Sequence, residues 1–129
     1  MKPIVQRLLA ALVSIATVQA DEGAAFFTSQ VLPILKNRCY ECHSHEHKID
    51  GGLALDSKSG WQNAEVIVPG NVQRSRFIRV LITRDPNDLM PPDHRLSDLE
   101  IAMLETWVLL GAPDPRPAPR PRVQQPKRP

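Results

Sequence analysis

Residues 39–43 read Cys39-Tyr40-Glu41-Cys42-His43, and this short stretch is the most informative part of the sequence. Two thiols three residues apart on a helical turn can each add to one vinyl group of a haem, and the next residue then places its imidazole beneath the iron. C-x-x-C-H is the attachment pattern of c-type haem. Cys39 and Cys42 are also the only cysteines in the sequence. The stretch therefore predicts one covalent haem, bound through Cys39 and Cys42, with His43 as an axial iron ligand.

Two other interpretations of these residues remain open. The first is a zinc site, because Cys39, Cys42, His43, His45 and His47 lie within nine residues, and two thiolates with two imidazoles are a competent zinc set. Structural zinc sites usually draw their ligand pairs from separate segments, which favours a solvated loop for the last two histidines. The second interpretation is a disulfide or a redox dithiol formed by the two cysteines.

The beginning of the chain predicts export. Lys2 and Arg7 precede an apolar run over residues 8–18, and Val18-Gln19-Ala20 offers a small-residue cleavage pattern. This is the layout of a secretory signal peptide, and the run is too short to cross a bilayer comfortably. We therefore expect residues 1–20 to be a signal peptide and the mature protein to be periplasmic, with no membrane span after cleavage. An uncleaved N-terminal anchor is the alternative.

Composition divides the rest of the chain in two. Residues 21–112 carry more acidic than basic side chains, whereas residues 113–129 carry five basic residues, one acidic residue and seven prolines. The Pro/Arg-rich composition predicts a disordered tail. A mildly acidic globule lacks the basic face that nucleic-acid binding requires. Residues 21–112 are predicted to form a single small domain, and a bound haem would enlarge the modest core that so short a chain can bury.

Helical patterns account for this predicted domain. Residues 23–38 carry apolar side chains at helical spacing, and Pro33 predicts a kink or a late start of that helix. A short turn is predicted to be capped by Asp56 or Ser57. A further helix is predicted to be capped by Ser75.

The final helix has the clearest boundaries. Ser97 and Glu100 have the spacing of a capping box, and Gly111 followed by Pro113 predicts where the helix ends. No convincing run of alternating strand residues is present. The sequence therefore predicts an all-α fold, a small helical domain wrapped around one covalent haem.

The second axial ligand has to come from a distant part of the chain. Met90 lies in a loop stiffened by Pro91 and Pro92, and His94 is its rival four residues later. Met103 lies inside the final helix, where methionine ordinarily fills gaps in the core. His/Met ligation is the general habit of cytochromes c, which favours Met90.

The chain also resembles a known family, the planctomycete-type cytochrome c domain of the class I cytochrome c superfamily. The resemblance covers nearly all of residues 26–112 and implies an all-α haem fold with His43 proximal and Met90 distal. The matching pieces, in chain order, are Phe27 with Val31-Leu32-Pro33-Ile34-Leu35, Cys39-Tyr40-Glu41-Cys42-His43, Gly51-Gly52-Leu53-Ala54-Leu55-Asp56, Val68-Pro69-Gly70, Ser75, Met90-Pro91-Pro92, Leu96-Ser97-Asp98 and Trp107-Val108-Leu109-Leu110-Gly111-Ala112.

These observations predict a monohaem c-type cytochrome that carries single electrons between redox partner proteins. The chain shows no nucleophile motif, paired carboxylates or phosphate loop, so we expect it not to be an enzyme. Two alternatives from other classes are a haem-based ligand sensor with a displaceable sixth ligand, and a zinc or thiol protein without haem.

Overall fold

A computed structural model describes residues 18–117 of the chain. Residues 1–17 of the predicted signal peptide and residues 118–129 of the predicted tail lie outside the described part. No strand occurs in residues 18–117, which agrees with the predicted all-α class. None of the described helices combines the length and apolar character needed to cross a membrane. The main helices are α1 (Leu32–Arg38), α2 (Lys58–Asn63), α3 (Arg76–Ile82) and α4 (Asp98–Leu109).

The first helical segment continues through Pro33, so the predicted late start of this helix is wrong. The backbone is helical from residue 18, passes through a π-helical stretch at Phe27–Val31, and continues as α1. The N–H of Leu32 reaches the carbonyl of Phe27, five residues back. Proline has no N–H to donate and its ring clashes with the preceding turn, so a wider turn is one way to accommodate it without ending the helix.

Helix α4 begins and ends as the sequence predicts. The Ser97 hydroxyl accepts from the Glu100 N–H at 3.2 Å, and the Glu100 carboxylate accepts from the Ser97 N–H at 2.8 Å. At the other end Gly111 has φ 92°, and the N–H of Ala112 donates to the carbonyl of Trp107 at 2.9 Å. These contacts satisfy backbone groups that helix ends otherwise leave unpaired.

The predicted caps of the two shorter helices, α2 and α3, give different results. Ser57 caps α2 by accepting from the Gly60 N–H at 3.0 Å, as predicted. Ser75 precedes α3, but its side chain makes no capping bond, so that prediction is wrong. Its fully buried hydroxyl instead accepts from the Val68 N–H at 2.9 Å and donates to the Asn71 carbonyl at 2.7 Å. The Ser75 hydroxyl bonds to the turn that precedes α3 because the buried backbone groups of this turn need hydrogen-bond partners.

Trp107 of α4 lies at the centre of the core. Its ring lies 5.7 Å from Phe27, 5.9 Å from Trp61 and 6.2 Å from Phe77, measured between ring centroids. Its indole N–H donates to the carbonyl of Pro113 at 2.9 Å. One side chain thus joins the N-terminal helix, α2, α3 and the segment after α4.

Trp107→Ala should therefore lower the free energy of unfolding by about 3–5 kcal/mol, because it leaves a large cavity among three aromatic rings. Urea denaturation of the purified variant measures this loss. Leu109→Ala is the matched control, since Leu109 lies on the same helix with 62% of its surface exposed, and should change stability by less than about 0.5 kcal/mol. Equal effects of the two substitutions would show that α4 does not pack through Trp107.

The packed region extends beyond the predicted domain boundary at residue 112. Asp114 is buried and accepts from the Trp61 indole N–H at 3.0 Å, and it forms an ion pair with Arg116 at 2.6 Å. Burial alone would raise the pKa of Asp114, but the hydrogen bonds from Arg116 and Trp61 outweigh it and lower the pKa. The prediction of a disordered tail starting at residue 113 is thus wrong for residues 113–116, because a paired charge and two indole partners hold them in place.

Candidate functional site

The Cys39–His43 stretch, here called the attachment turn, continues directly from α1. The N–H of Cys39 donates to the Leu35 carbonyl at 3.0 Å, and the N–H of His43 donates to the Cys39 carbonyl at 2.9 Å. The backbone therefore keeps a helical turn across the motif, which is the arrangement that its spacing predicts. Cys39, Cys42 and His43 consequently all line one cavity.

That cavity has a volume of about 240 Å³ and is lined mainly by apolar groups. It is surrounded by residues of α1, the attachment turn and the loop that follows it, and by residues of α3 and the loops on either side of α3. All four predicted site residues lie on its wall. The lining residues are Arg38, Cys39, Cys42, His43, Asp50, Gly51, Leu53, Leu55, Val66, Arg76, Phe77, Val80, Leu81, Met90, Pro91 and Pro92.

The loop after the attachment turn orients the His43 imidazole. Its Nδ1 atom lies 3.3 Å from the carbonyl oxygen of Leu53. A carbonyl oxygen only accepts, so Nδ1 carries the proton in this contact and Nε2 keeps its lone pair free for a metal. The carbonyl of His43 in turn accepts from the Leu55 N–H at 2.8 Å. Both ends of the residue are therefore held by the same short segment.

Met90 reaches the cavity from the loop after α3. Its N–H donates to the Val80 carbonyl at 2.8 Å, and the Leu89 N–H donates to the Asp85 carbonyl at 3.0 Å. Arg95 donates to the Thr83 carbonyl and closes the base of the loop. Met90 has 38% of its surface exposed to solvent.

The two rivals of Met90 lie elsewhere. His94 is exposed and does not line the cavity. Met103 is half-buried in α4 and does not line it either. Of the three side chains considered for the second axial position, Met90 alone shares the cavity with His43.

The zinc interpretation is not supported by the structure. The His45 imidazole is paired with Asp56, with 2.8 Å between Nδ1 and Oδ1, and its N–H also donates to that carboxylate. His47 is exposed. In residues 18–117, no group of three or more His, Cys, Asp or Glu side chains is arranged to hold a metal ion. The histidines after the attachment turn lie in a solvated loop, as the ligand spacing favours.

The thiol interpretation also finds no support. Both cysteines are free thiols. Burial raises the pKa of the Cys39 thiol to about 12, with a smaller contribution from Glu100. A redox-active dithiol relies on a thiolate with a lowered pKa in an electropositive, partly exposed setting. Cys39 has the opposite environment.

Residues 39–94 match the family model described as Planctomycete cytochrome C. This match confirms the family resemblance that the sequence predicts. The matched segment runs from the attachment turn to the end of the Met90 loop, so it contains every predicted site residue. No curated protein and no solved structure matches the chain.

The matching family implies a covalently bound haem c, and the residues around the cavity fit that group. Cys39 and Cys42 supply two free thiols at the attachment spacing. His43 presents a free ring nitrogen, and most of the wall is apolar. Haem also carries two carboxylates, and the cavity wall includes the cation Arg76.

One ion pair next to the attachment turn was not predicted from the sequence. The Arg38 guanidinium binds the Glu100 carboxylate through two hydrogen bonds of 2.9 and 3.1 Å, which ties the end of α1 to the start of α4. The sequence does place Arg38 directly before Cys39, which could have suggested that Arg38 lies near the site. Nothing in the capping-box pattern indicated that Glu100 has this second partner.

The Arg38–Glu100 pair makes the stability of the domain pH-dependent. The hydrogen bond from Arg38 lowers the pKa of Glu100 from 4.5 to about 2, helped by Ser97, although burial acts in the opposite direction. A carboxyl with a lowered folded-state pKa stabilises the fold above its ordinary pKa, and that stabilisation is lost as the pH falls from about 4.5 through about 2.

Glu100→Gln should therefore lower the free energy of unfolding at pH 7, and the difference from the unmodified protein should shrink towards zero near pH 2. Urea denaturation at both pH values measures it. Glu105→Gln is the control, because Glu105 is on the same helix and takes no part in the ion pairs found in residues 18–117. A difference that is the same at both pH values would contradict a charge-dependent role.

Proposed function

We propose that this chain is a monohaem c-type cytochrome that carries single electrons, with His43 and Met90 as the axial ligands of a haem bound through Cys39 and Cys42. One observation carries the proposal. Two thiols, an imidazole with a free Nε2 atom and a thioether lie on the wall of the same apolar cavity, although Met90 is separated from the attachment turn by a long stretch of chain.

The surroundings of the two ligands suit electron transfer. Haem iron cycles between the ferrous and ferric states, and the protein tunes that change through ligands, burial and electrostatics. The His43 ring is oriented by Leu53, and Met90 is anchored through its backbone to Val80. Two fixed ligands need little rearrangement when the iron changes its charge. A thioether also raises the potential relative to a second histidine.

The position of the chain in the cell follows from the same chemistry. Haem is attached to C-x-x-C-H motifs outside the cytoplasm, and residues 1–20 have the layout of a signal peptide. We infer that the protein is exported to the periplasm and exchanges electrons with redox partner proteins there. Cell fractionation with an antibody against the chain tests the location.

Haem retention tests the central part of the proposal. The chain should be produced in the periplasm of a host with a cytochrome c maturation system, then treated with acid and organic solvent. We expect the intact mass to include one haem after extraction and the absorption spectrum to be that of a haem protein. Complete removal of the haem by this treatment would contradict covalent attachment.

A ligand sensor is the second candidate, favoured by the exposure of Met90, 38% of whose surface is open to solvent. A displaceable methionine would let a gas reach the sixth position of the iron. Carbon monoxide added to the reduced protein separates the two functions. Slow or absent binding supports a closed electron carrier, whereas rapid and complete binding supports the sensor.

A further inference from the structure

The segment after α4 forms a cluster of polar contacts next to the attachment turn. We call residues 113–116 the C-terminal clasp. The Arg116 guanidinium holds the Asp114 carboxylate through two hydrogen bonds of 2.9 and 2.6 Å. Its carbon atom Cζ also lies 4.8 Å from the centre of the Phe27 ring. The clasp therefore joins the N-terminal helical segment to the end of the described chain.

Two further bonds from Arg116 reach the attachment turn by separate routes. Its Nη1 donates to the Tyr40 hydroxyl at 2.9 Å and to the Leu55 carbonyl at 2.7 Å. Tyr40 lies between the two cysteines of the motif. Leu55 donates its own N–H to the His43 carbonyl at 2.8 Å. One guanidinium thus holds a side chain inside the motif and the segment that binds the backbone of the proximal ligand.

The clasp acts from outside the cavity. Cys39, Cys42 and His43 line the cavity, whereas Tyr40 and Arg116 do not. The side chain of Asp114 is fully buried and that of Arg116 is only 14% exposed. A buried guanidinium that binds a carboxylate through two hydrogen bonds has a defined geometry. A lysine ammonium group cannot reproduce this two-pronged arrangement.

We propose that Arg116 is a positioning residue of the haem site, which fixes the orientation of the attachment turn through Tyr40 and Leu55. This role deepens the proposed function and assigns a task to residues that lie outside the segment matching the family. The turn carries both thiols and the proximal imidazole. A small rotation of the turn would therefore misplace all three groups relative to one haem.

Amide hydrogen exchange of the full chain tests the proposal without requiring haem. Arg116→Lys keeps the positive charge but cannot make the paired hydrogen bonds of the guanidinium. It should speed exchange of the backbone amides of His43 and Leu55 by about tenfold or more, with smaller changes in α4. Val108→Ala is the control, because Val108 is fully buried in α4 and outside the clasp. The control should speed exchange mainly in α4. Similar exchange profiles for the two variants would overturn the positioning role.

The matured protein supplies a second readout. Arg116→Lys should increase the fraction of chains that carry a single thioether bond, seen by mass spectrometry, and should shift the reduction potential. Val108→Ala should leave both unchanged. Tyr40→Phe should produce part of the Arg116→Lys effect, and the double variant should change less than the sum, because the two residues share one bond.

The two hypotheses fail in different ways. Absence of haem from the unmodified protein would refute the proposed function, while the exchange experiment would still decide whether Arg116 fixes the turn. A normal haem complement and an unchanged potential in Arg116→Lys would refute the positioning role and leave the proposed function intact.

Discussion

Replacing both Cys39 and Cys42 with alanine is expected to abolish covalent haem retention, which is the largest effect of any substitution considered for this chain. Both thiols line the same cavity, and the chain contains no other cysteine. The apolar wall remains in the double variant, so any haem that it takes up should be held without a covalent bond. Acid and organic extraction followed by intact-mass measurement should then give the mass of the bare polypeptide.

The single variants and one histidine variant complete this test. Cys39→Ala and Cys42→Ala should each leave one thioether, because the other thiol still meets the haem. His47→Ala should have no effect on attachment, since His47 is exposed and outside the cavity. Haem that survives extraction in the double variant would show that another residue forms the bond, and the assignment of the motif would be wrong.

Met90→Ala is expected to produce the second largest effect, on the ligand field of the iron. A thioether bound to ferric haem produces a weak charge-transfer band near the red end of the visible spectrum, and the unmodified ferric protein should show it. The variant should lose the band and bind carbon monoxide readily when reduced. The reduction potential of the variant should fall, because the thioether that it lacks favours ferrous iron. Absorption spectroscopy and a redox titration measure these changes.

Two matched variants separate ligation from packing. Met103→Ala removes a half-buried thioether that does not line the cavity, so it should cost packing stability and leave the spectrum unchanged. His94→Ala should change neither property strongly, since His94 is exposed. If His94→Ala opens the iron while Met90→Ala leaves the ligand field intact, the protein is a bis-histidine cytochrome. The higher potential argued from a thioether would then be wrong as well.

Features that depend on residues close in sequence were predictable. The attachment turn needs only the spacing of two cysteines and a histidine, and the capping box needs only Ser97 and Glu100. An irregularity of the helix near Pro33 could be expected from the missing N–H of proline, although its form, a π-helical stretch in a continuous helix, was not predicted. In each case the interacting groups lie within one or two helical turns, so the sequence spacing alone determines whether they can meet.

Features that depend on distant residues were predicted less well. Met90 could be named as a candidate from its loop and its prolines, but its place on the cavity wall depends on how that loop packs. The pairing of Arg38 with Glu100 joins residues 62 positions apart. The bond between Arg116 and Tyr40 joins residues 76 positions apart. No local pattern indicates which of several arginines will meet a given carboxylate or hydroxyl across such separations.

The C-terminal clasp shows this division most clearly. Proline-rich composition predicts disorder because such a segment lacks apolar side chains to bury. Composition does not indicate which hydrogen-bond partners the rest of the fold provides for such a segment. The Trp61 and Trp107 indoles, the Tyr40 hydroxyl and the Leu55 carbonyl are brought together only when the helices pack. Local sequence patterns therefore predicted the helical class, the attachment motif and the candidate ligands. The packing of the helices shows which candidate ligand shares the cavity with His43 and where the packed domain ends, because both depend on contacts between segments far apart in the chain.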